Sequence, residues 1–186
     1  MSSFSERHGF EPEKSIQIES MDDNLRNGLW NALDDYFWIK KILSQDGIYN
    51  RYRLEGPLYD VLLLVWVYHF KKTRDSFPLC WHEIIGEIKS YFFNASWNKV
   101  YDFIEFIAPY GDTLERTTTN KFINYCNKIL EAERSAYKFV SGKITQITND
   151  YEIKEIEKAI QSPLDSINIQ LKSALDKISD RENPDY

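Results

Sequence analysis

Three histidines, His8, His69 and His82, are the side chains of this chain best suited to moving protons. An imidazole titrates near neutral pH and can serve as general acid, general base or metal ligand. Cys80-Trp81-His82 sets a thiol two residues from an imidazole. That pair offers two ligands where a structural zinc site needs about four. Cys80 is therefore read as a buried small side chain and His82 as facing a polar edge. His69 follows an apolar run and reads as a hydrogen-bonded helix-end histidine, with a general base as the sharper alternative. His8 sits beside Arg7, and spacing names no partner for it. One class of ribonuclease uses an Arg and a His about four to six residues apart on one helix face, where the Arg can stabilise phosphate charge while the His moves protons. Arg7-His8 is too close, and seven residues separate Arg74 from His82. No phosphate-binding loop, dinucleotide fingerprint, nucleophile elbow or His-Glu-x-x-His is present. Asp22-Asp23 and Asp34-Asp35 are adjacent pairs, which diverge by about 100° on a helix and so read as capping and solvated residues. The expectation is no catalytic residue, no metal and no cofactor in this chain.

Charge narrows the binding chemistry. Twenty-three Lys and Arg against 29 Asp and Glu give a net charge of −6. Nucleic-acid affinity comes mainly from cations neutralising phosphates, so a chain this acidic is not a generic phosphate binder. Two local basic clusters remain, Arg51-Tyr52-Arg53 and Lys71-Lys72-Thr73-Arg74. Basic residues interleaved with an aromatic could hold single-stranded nucleic acid; solvated loop ends balancing nearby acids are the plainer reading. Cys80 and Cys126 are isolated in apolar helical patterns, which argues against a disulfide framework and for a reducing, cytoplasmic setting. Met1 to Glu13 has no apolar stretch of signal-peptide length. The longest apolar run, about Val61 to Tyr68, is far short of the ~20 residues that span a bilayer.

The elements that would position these groups read as mainly α, a compact bundle of about six or seven helices with one small β-hairpin (about 137–147). The 186 residues suffice for one domain with a real core. Aromatics reach 15%, and Gly (7) and Pro (6) are scarce, which favours long helices. Residues 1–19 form an arm in which Ser15-Ile16-Gln17-Ile18 alternates as a short strand or extended segment. Ser20-Met21-Asp22-Asp23 reads as a helix start, with Ser20 accepting from the Asp23 N–H. Leu25, Leu29, Trp30, Leu33 and Phe37 then follow at helical spacing, up to a stop at Gly47. Gly28 inside this helix costs ~1 kcal/mol relative to Ala, which a tight helix crossing would rationalise. Gln45 to Pro57 reads as a loop. Leu58 to Phe70 is apolar on nearly all sides and reads as a central buried helix. Pro78 would open a third helix at its first position, and Ser96 would cap a fourth that Pro109-Tyr110-Gly111 stops. A fifth runs from Thr118 to about Ala136. Tyr137 to Ile147 is a hairpin with a Ser141-Gly142 turn. A charged helix over 152–161 and an amphipathic one from Pro163, with Leu164, Ile167, Leu171, Leu175 and Ile178 on one face, complete the chain. The chain stops at Ser179 to Tyr186 without helix-stop logic, and reads as cut rather than finished.

The block Phe4-Ser5-Glu6-Arg7-His8-Gly9-Phe10, then Ile16 to Asp22, then Leu25-Arg26-Asn27-Gly28-Leu29-Trp30-Asn31, resembles the fourth type of AbiJ N-terminal domain, from bacterial abortive-infection proteins. The hairpin and acidic helix resemble it too, as does the ending from Leu175 to Tyr186. The resemblance implies that 1–186 is one N-terminal domain of a longer protein, that 163–186 leads into a HEPN-type ribonuclease domain, and that the catalytic Arg and His lie past Tyr186. It implies a non-catalytic sensing or regulatory role in antiviral defence. The partners would be its own C-terminal HEPN domain, a phage component, RNA or a second copy, with no membrane. The binding candidates are Arg7, His8, Arg26, Arg51, Arg53, Lys71, Lys72 and Arg74. The motif's polar residues also read as a structural lock, with Arg7 or Arg26 pairing with Glu19 or Asp22. The rival functions are a nucleic-acid-binding module, which needs a contiguous basic patch, and an independent enzyme, which needs a histidine meeting a carboxylate or Cys.

Overall fold

The computed structural model describes residues 4–10, 14–38, 56–78 and 80–147. The described residues divide into two compact units, one of residues 4–10 and 14–18 with 130–147 and one of residues 19–38, 56–78 and 80–129. Among the described residues there are five helices of eight or more residues and one two-stranded sheet. Five is fewer than the six or seven expected, and the segments expected at 152–161 and 163–178 lie outside the described residues. No helix among the described residues is long and apolar enough to cross a membrane.

The larger unit opens with helix α1 (Asp23–Leu33). Its cap is Asp22, whose carboxylate accepts from the Leu25 N–H at 2.9 Å, two residues later than the Ser20 cap expected. Asp22 has the extended backbone a cap requires and brings a negative charge to the positive helix end. Leu25, Leu29 and Leu33 recur at four-residue spacing and are fully buried. The helix then widens into a π turn over Asp34–Trp38 that buries Phe37 and Trp38.

Helix α2 (Pro57–Leu64) has Pro57 in its first turn, where the missing N–H costs nothing. The sequence predicts a regular helix on to Phe70. Instead Val65–His69 forms a second π turn, closed by the Phe70 N–H to the Val65 carbonyl at 2.9 Å. A helix apolar on all sides has no amphipathic phase to betray an inserted residue. The segment is also less central than expected: Leu58, Val61, Leu62, Val65 and Trp66 are buried, but Tyr68 is 54% exposed.

Helix α3 (Trp81–Asn94) starts three residues past Pro78, with Cys80 at its cap. Ile84, Ile88 and Phe92 form its buried stripe. Helix α4 (Trp97–Ile107) has Ser96 at the cap position, but the Ser96 hydroxyl bonds Asn98 at 2.6 Å instead of the backbone. Pro109 ends α4 by leading it through a tight 3-10 turn, Ala108–Tyr110, into a single turn at Gly111–Leu114. Helix α5 (Thr118–Ala132) follows. Thr119 and Asp112 bond reciprocally, side chain to backbone, at 3.1 and 2.8 Å. That leaves no room beside Gly111, where an added Cβ would stand 2.8 Å from the Thr119 nitrogen.

The smaller unit carries the hairpin β1 (Tyr137–Val140) and β2 (Lys143–Gln146), in the register Tyr137↔Gln146 to Val140↔Lys143. Ser141 and Gly142 both have positive φ, 51° and 83°, as a two-residue turn with the twist of its strands requires. The N-terminal arm does pair, through one parallel bridge from Gln17 to Ser135. The Gln17 N–H donates to the Arg134 carbonyl, and the Ala136 N–H donates back to the Gln17 carbonyl, both at 2.9 Å. The Gln17 amide donates to the Glu133 carbonyl at 2.7 Å, so this buried polar side chain is satisfied. Lys14 pairs with Glu133, and the Arg134 guanidinium donates to the Lys14 carbonyl. The arm is thus held by Lys14, Gln17, Glu133 and Arg134.

The helix crossing inferred at Gly28 is present. A Cβ there would lie 2.7 Å from Ile129 Cγ2 on α5. Gly86 is also helical, but it is exposed with open space around it. Gly28→Ala is expected to destabilise the protein, because overpacking of about 1–3 kcal/mol outweighs the ~1 kcal/mol helix gain. Gly86→Ala is expected to stabilise it by about 0.5–1 kcal/mol. Urea denaturation of both variants checks the pair; a stabilising Gly28→Ala would remove the crossing as the reason for this glycine.

Candidate functional site

The most chemically diverse cluster of the larger unit forms where the α2 π turn ends. His69 is its last residue. Helix α3 brings Tyr91 to it, and the tyrosine hydroxyl lies 3.0 Å from His69 Nε2. Helix α4 brings Phe103 and Phe106, whose ring centres stand 5.2 and 5.3 Å from the imidazole. The rings of Tyr91 and Phe70 are each at 5.4 Å. Tyr91 also donates to the Lys99 carbonyl at 3.4 Å. Lys99 is paired with Asp102 one turn along at 2.8 Å.

Burial sets the electrostatics at this cluster. It holds the His69 pKa below the ordinary histidine value; the nearby Asp102 pulls the other way, and Lys99 and Lys71 add to the lowering. Burial likewise raises the Tyr91 hydroxyl. A neutral imidazole bonded to a tyrosine is a satisfied helix-end histidine, the plainer of the two readings of His69.

The basic run follows directly, and the structure organises it around one indole. Trp66 is buried, and its N–H is shared between the Thr73 carbonyl at 3.2 Å and the Ser76 hydroxyl at 3.0 Å. The Lys72 N–H returns to the Trp66 carbonyl at 3.1 Å. Lys71 holds a left-handed backbone, φ 56°, which a non-glycine residue keeps only when its surroundings impose it. The Lys72 ammonium lies 4.0 Å over the Trp66 ring and pairs with Glu87 at 2.9 Å. Lys71 and Arg74 are exposed.

The remaining candidates scatter. Arg26 donates to the Phe92 carbonyl near the end of α3, satisfying one of the carbonyls a helix end leaves open. His8 is exposed, and its ring is tilted against those of Phe4 at 4.4 Å and Phe10 at 6.3 Å. Arg7 ends a single helical turn, Phe4–Arg7. Arg51 and Arg53 lie outside the described residues. His82 is exposed in the first turn of α3, and Cys80 before it is half-buried, not buried as expected. Among the described residues no group of three or more His, Cys, Asp or Glu is placed to hold a metal ion. Cys126 is buried and its thiol is pushed far up by desolvation, so it packs as a small apolar group. Asp34, expected to be solvated, is half-buried, and burial followed by the Asp35 charge raises its carboxyl.

Tyr91 and Glu87 are the participants that sequence reasoning did not single out. Both lie on the helix stretch predicted from Pro78, but nothing in their local pattern tells which residue they face. The anchoring role of Trp66 is testable. Trp66→Phe keeps a ring and removes the N–H that holds Thr73 and Ser76, a loss of about 1–2 kcal/mol. Tryptic cleavage after Lys71, Lys72 and Arg74 is then expected to quicken about 5–30-fold. Unchanged cleavage would mean that the indole does not hold the loop.

The sequence model of AbiJ N-terminal domain 4 matches residues 2–162. The likeness read in Leu175 to Tyr186 falls outside that match. No curated protein and no solved structure matches the chain. The matched stretch takes in the arm, all five helices and the hairpin, and the chain belongs to the AbiJ N-terminal domain 4 family.

Proposed function

We propose that this chain is the non-catalytic sensing and regulatory domain of an abortive-infection protein, working in the cytoplasm and controlling a HEPN-type ribonuclease on the same polypeptide through protein contacts. Membership of the AbiJ N-terminal domain family over residues 2–162 carries the reading. The chemistry of the histidines supports it. His69 is bonded to a tyrosine, His8 lies beside the Phe4 ring, and His82 is exposed. The net charge of −6 favours protein partners over phosphate backbones.

A nucleic-acid-binding role is the second reading. It draws on Lys71 and Arg74, which stand exposed on a loop held in shape by Trp66. Against it, Lys72 is occupied by Glu87.

The deciding experiment measures RNA cleavage by the nuclease segment alone and with residues 1–186 added in trans. Suppressed or redirected cleavage is the expected result. No effect on cleavage, together with salt-sensitive RNA binding that Lys71→Ala and Arg74→Ala weaken, would replace the regulatory reading with the second one.

A further inference from the structure

Every residue from Val61 to Phe70 is buried or half-buried except Tyr68, which is 54% exposed. A lone exposed ring is ordinary on a protein surface. This one leads into a loop, Lys71–Ser76, that is exposed along its whole length yet fixed from within. The Trp66 N–H reaches Thr73 and Ser76, and the Lys72 N–H returns to the Trp66 carbonyl. The Ser76 and Phe77 N–H groups close turns on the Thr73 and Arg74 carbonyls, each at 3.2 Å. Phe77 is buried, edge-on to Trp66 at 5.9 Å and to Tyr59 at 5.4 Å, which pins the far end of the loop. Lys71 keeps its left-handed backbone inside this frame. Binding to a loop already ordered loses little further conformational entropy.

The loop carries Lys71, Lys72 and Arg74, and Lys99 of α4 is close enough for its charge and that of Lys71 to act on the same His69. Acids answer part of this charge. Glu87 holds Lys72 at 2.9 Å, and Asp102 holds Lys99 at 2.8 Å. Asp75 lies within the loop, its carboxylate bonded to the Thr73 side chain. Lys71 and Arg74 remain as exposed cations. Two cations beside one acid are too few for a duplex, whose affinity comes from many phosphates neutralised along its backbone. A single strand differs, because its bases can stack, and each base stacked on an aromatic ring strengthens binding about 5–150-fold. An acidic peptide would use the two cations and leave the ring idle.

We propose that Tyr68, Lys71 and Arg74 form a contact for single-stranded nucleic acid, with one base stacked on the Tyr68 ring and the adjoining phosphates held by Lys71 and Arg74 on the loop that Trp66 shapes. The proposal rests on the nucleic-acid reading and gives it a site. It is compatible with the regulatory reading, since a domain that controls a nuclease through protein contacts can also touch a nucleic-acid strand.

Fluorescence anisotropy of the full chain with a labelled single-stranded oligouridylate of about 12 nucleotides, at about 50 to 200 mM salt, tests it. Binding is expected, with log K falling against log salt at a slope of about −1.4, about −0.7 for each of two phosphates. Arg74→Gln and Lys71→Gly are each expected to shrink the slope by about 0.7, the glycine keeping the left-handed backbone. Tyr68→Ala is expected to weaken binding about 5–150-fold and leave the slope unchanged, while Tyr68→Phe binds like the unaltered protein. An unchanged urea midpoint verifies the fold of each variant at these exposed positions. Any of four results would overturn the proposal: no binding at the lowest salt; a duplex bound as tightly as the single strand; polyglutamate bound as tightly through Lys71 and Arg74; or binding untouched by Tyr68→Ala. Oligouridylate binding that ignores all three residues would keep the nucleic-acid reading and remove this site. Absent binding together with suppressed cleavage in trans would remove both and leave the regulatory reading.

Discussion

A ring that carries a polar atom is stable in a core only if the ring is buried and the atom is still bonded. The larger unit is organised around that constraint. Trp66 buries its indole and places the N–H on the loop that follows. His69 and Tyr91 satisfy each other among phenylalanines, with the surplus tyrosine proton passed to a backbone carbonyl. Trp30, Phe92 and Phe103 extend this packing as a chain of ring contacts, tilted at 5.4 Å and edge-on at 6.0 Å, linking α1, α3 and α4. Trp38 is the exception. Its buried indole nitrogen has no hydrogen-bond partner among the described residues, and leaving such an atom unbonded costs about 1–3 kcal/mol.

Two of the helices also run on into wider turns. Both π turns carry bulky aromatic residues, Tyr36, Phe37 and Trp38 in Asp34–Trp38 and Trp66 and Tyr68 in Val65–His69. Single wide turns of this kind often mark functional positions. In the second, the turn feeds directly into a loop whose backbone is tied to Trp66, so helix geometry and loop geometry are one problem. The basic run looks in the sequence like a solvated charge cluster. In the structure it is partly that, with Lys71 and Arg74 outward, and partly a structural clamp, with Lys72 wedged between Trp66 and Glu87.

Much of the architecture could be read along the chain, because it depends on short-range geometry. Leu25, Leu29 and Leu33, or Ile84, Ile88 and Phe92, repeat at the helical period and are buried for that reason. Ser141-Gly142 between two alternating runs specifies a tight hairpin, and it forms there. Gly28 in a helix implies a close crossing without naming the partner, and Ile129 is that partner. Helix starts are less legible. Asp22 displaces Ser20 as cap, and α3 waits until Trp81, because competing polar residues a few positions apart differ by little in capping energy.

Composition and periodicity thus determined the helical class, the hairpin and the buried stripes, each a property of residues within a turn or two of one another, and ordered residue blocks along the chain carried the family likeness. Tertiary structure alone decided which polar atoms meet. Tyr91 is 22 residues from His69, Glu87 is 15 from Lys72, and Glu133 is 119 from Lys14. No local pattern encodes such distances, since each pairing exists only once the helices or the arm have packed. The π turn at Val65–His69 belongs with these contacts, because an apolar helix without an amphipathic phase reads the same with or without one extra residue in its turn.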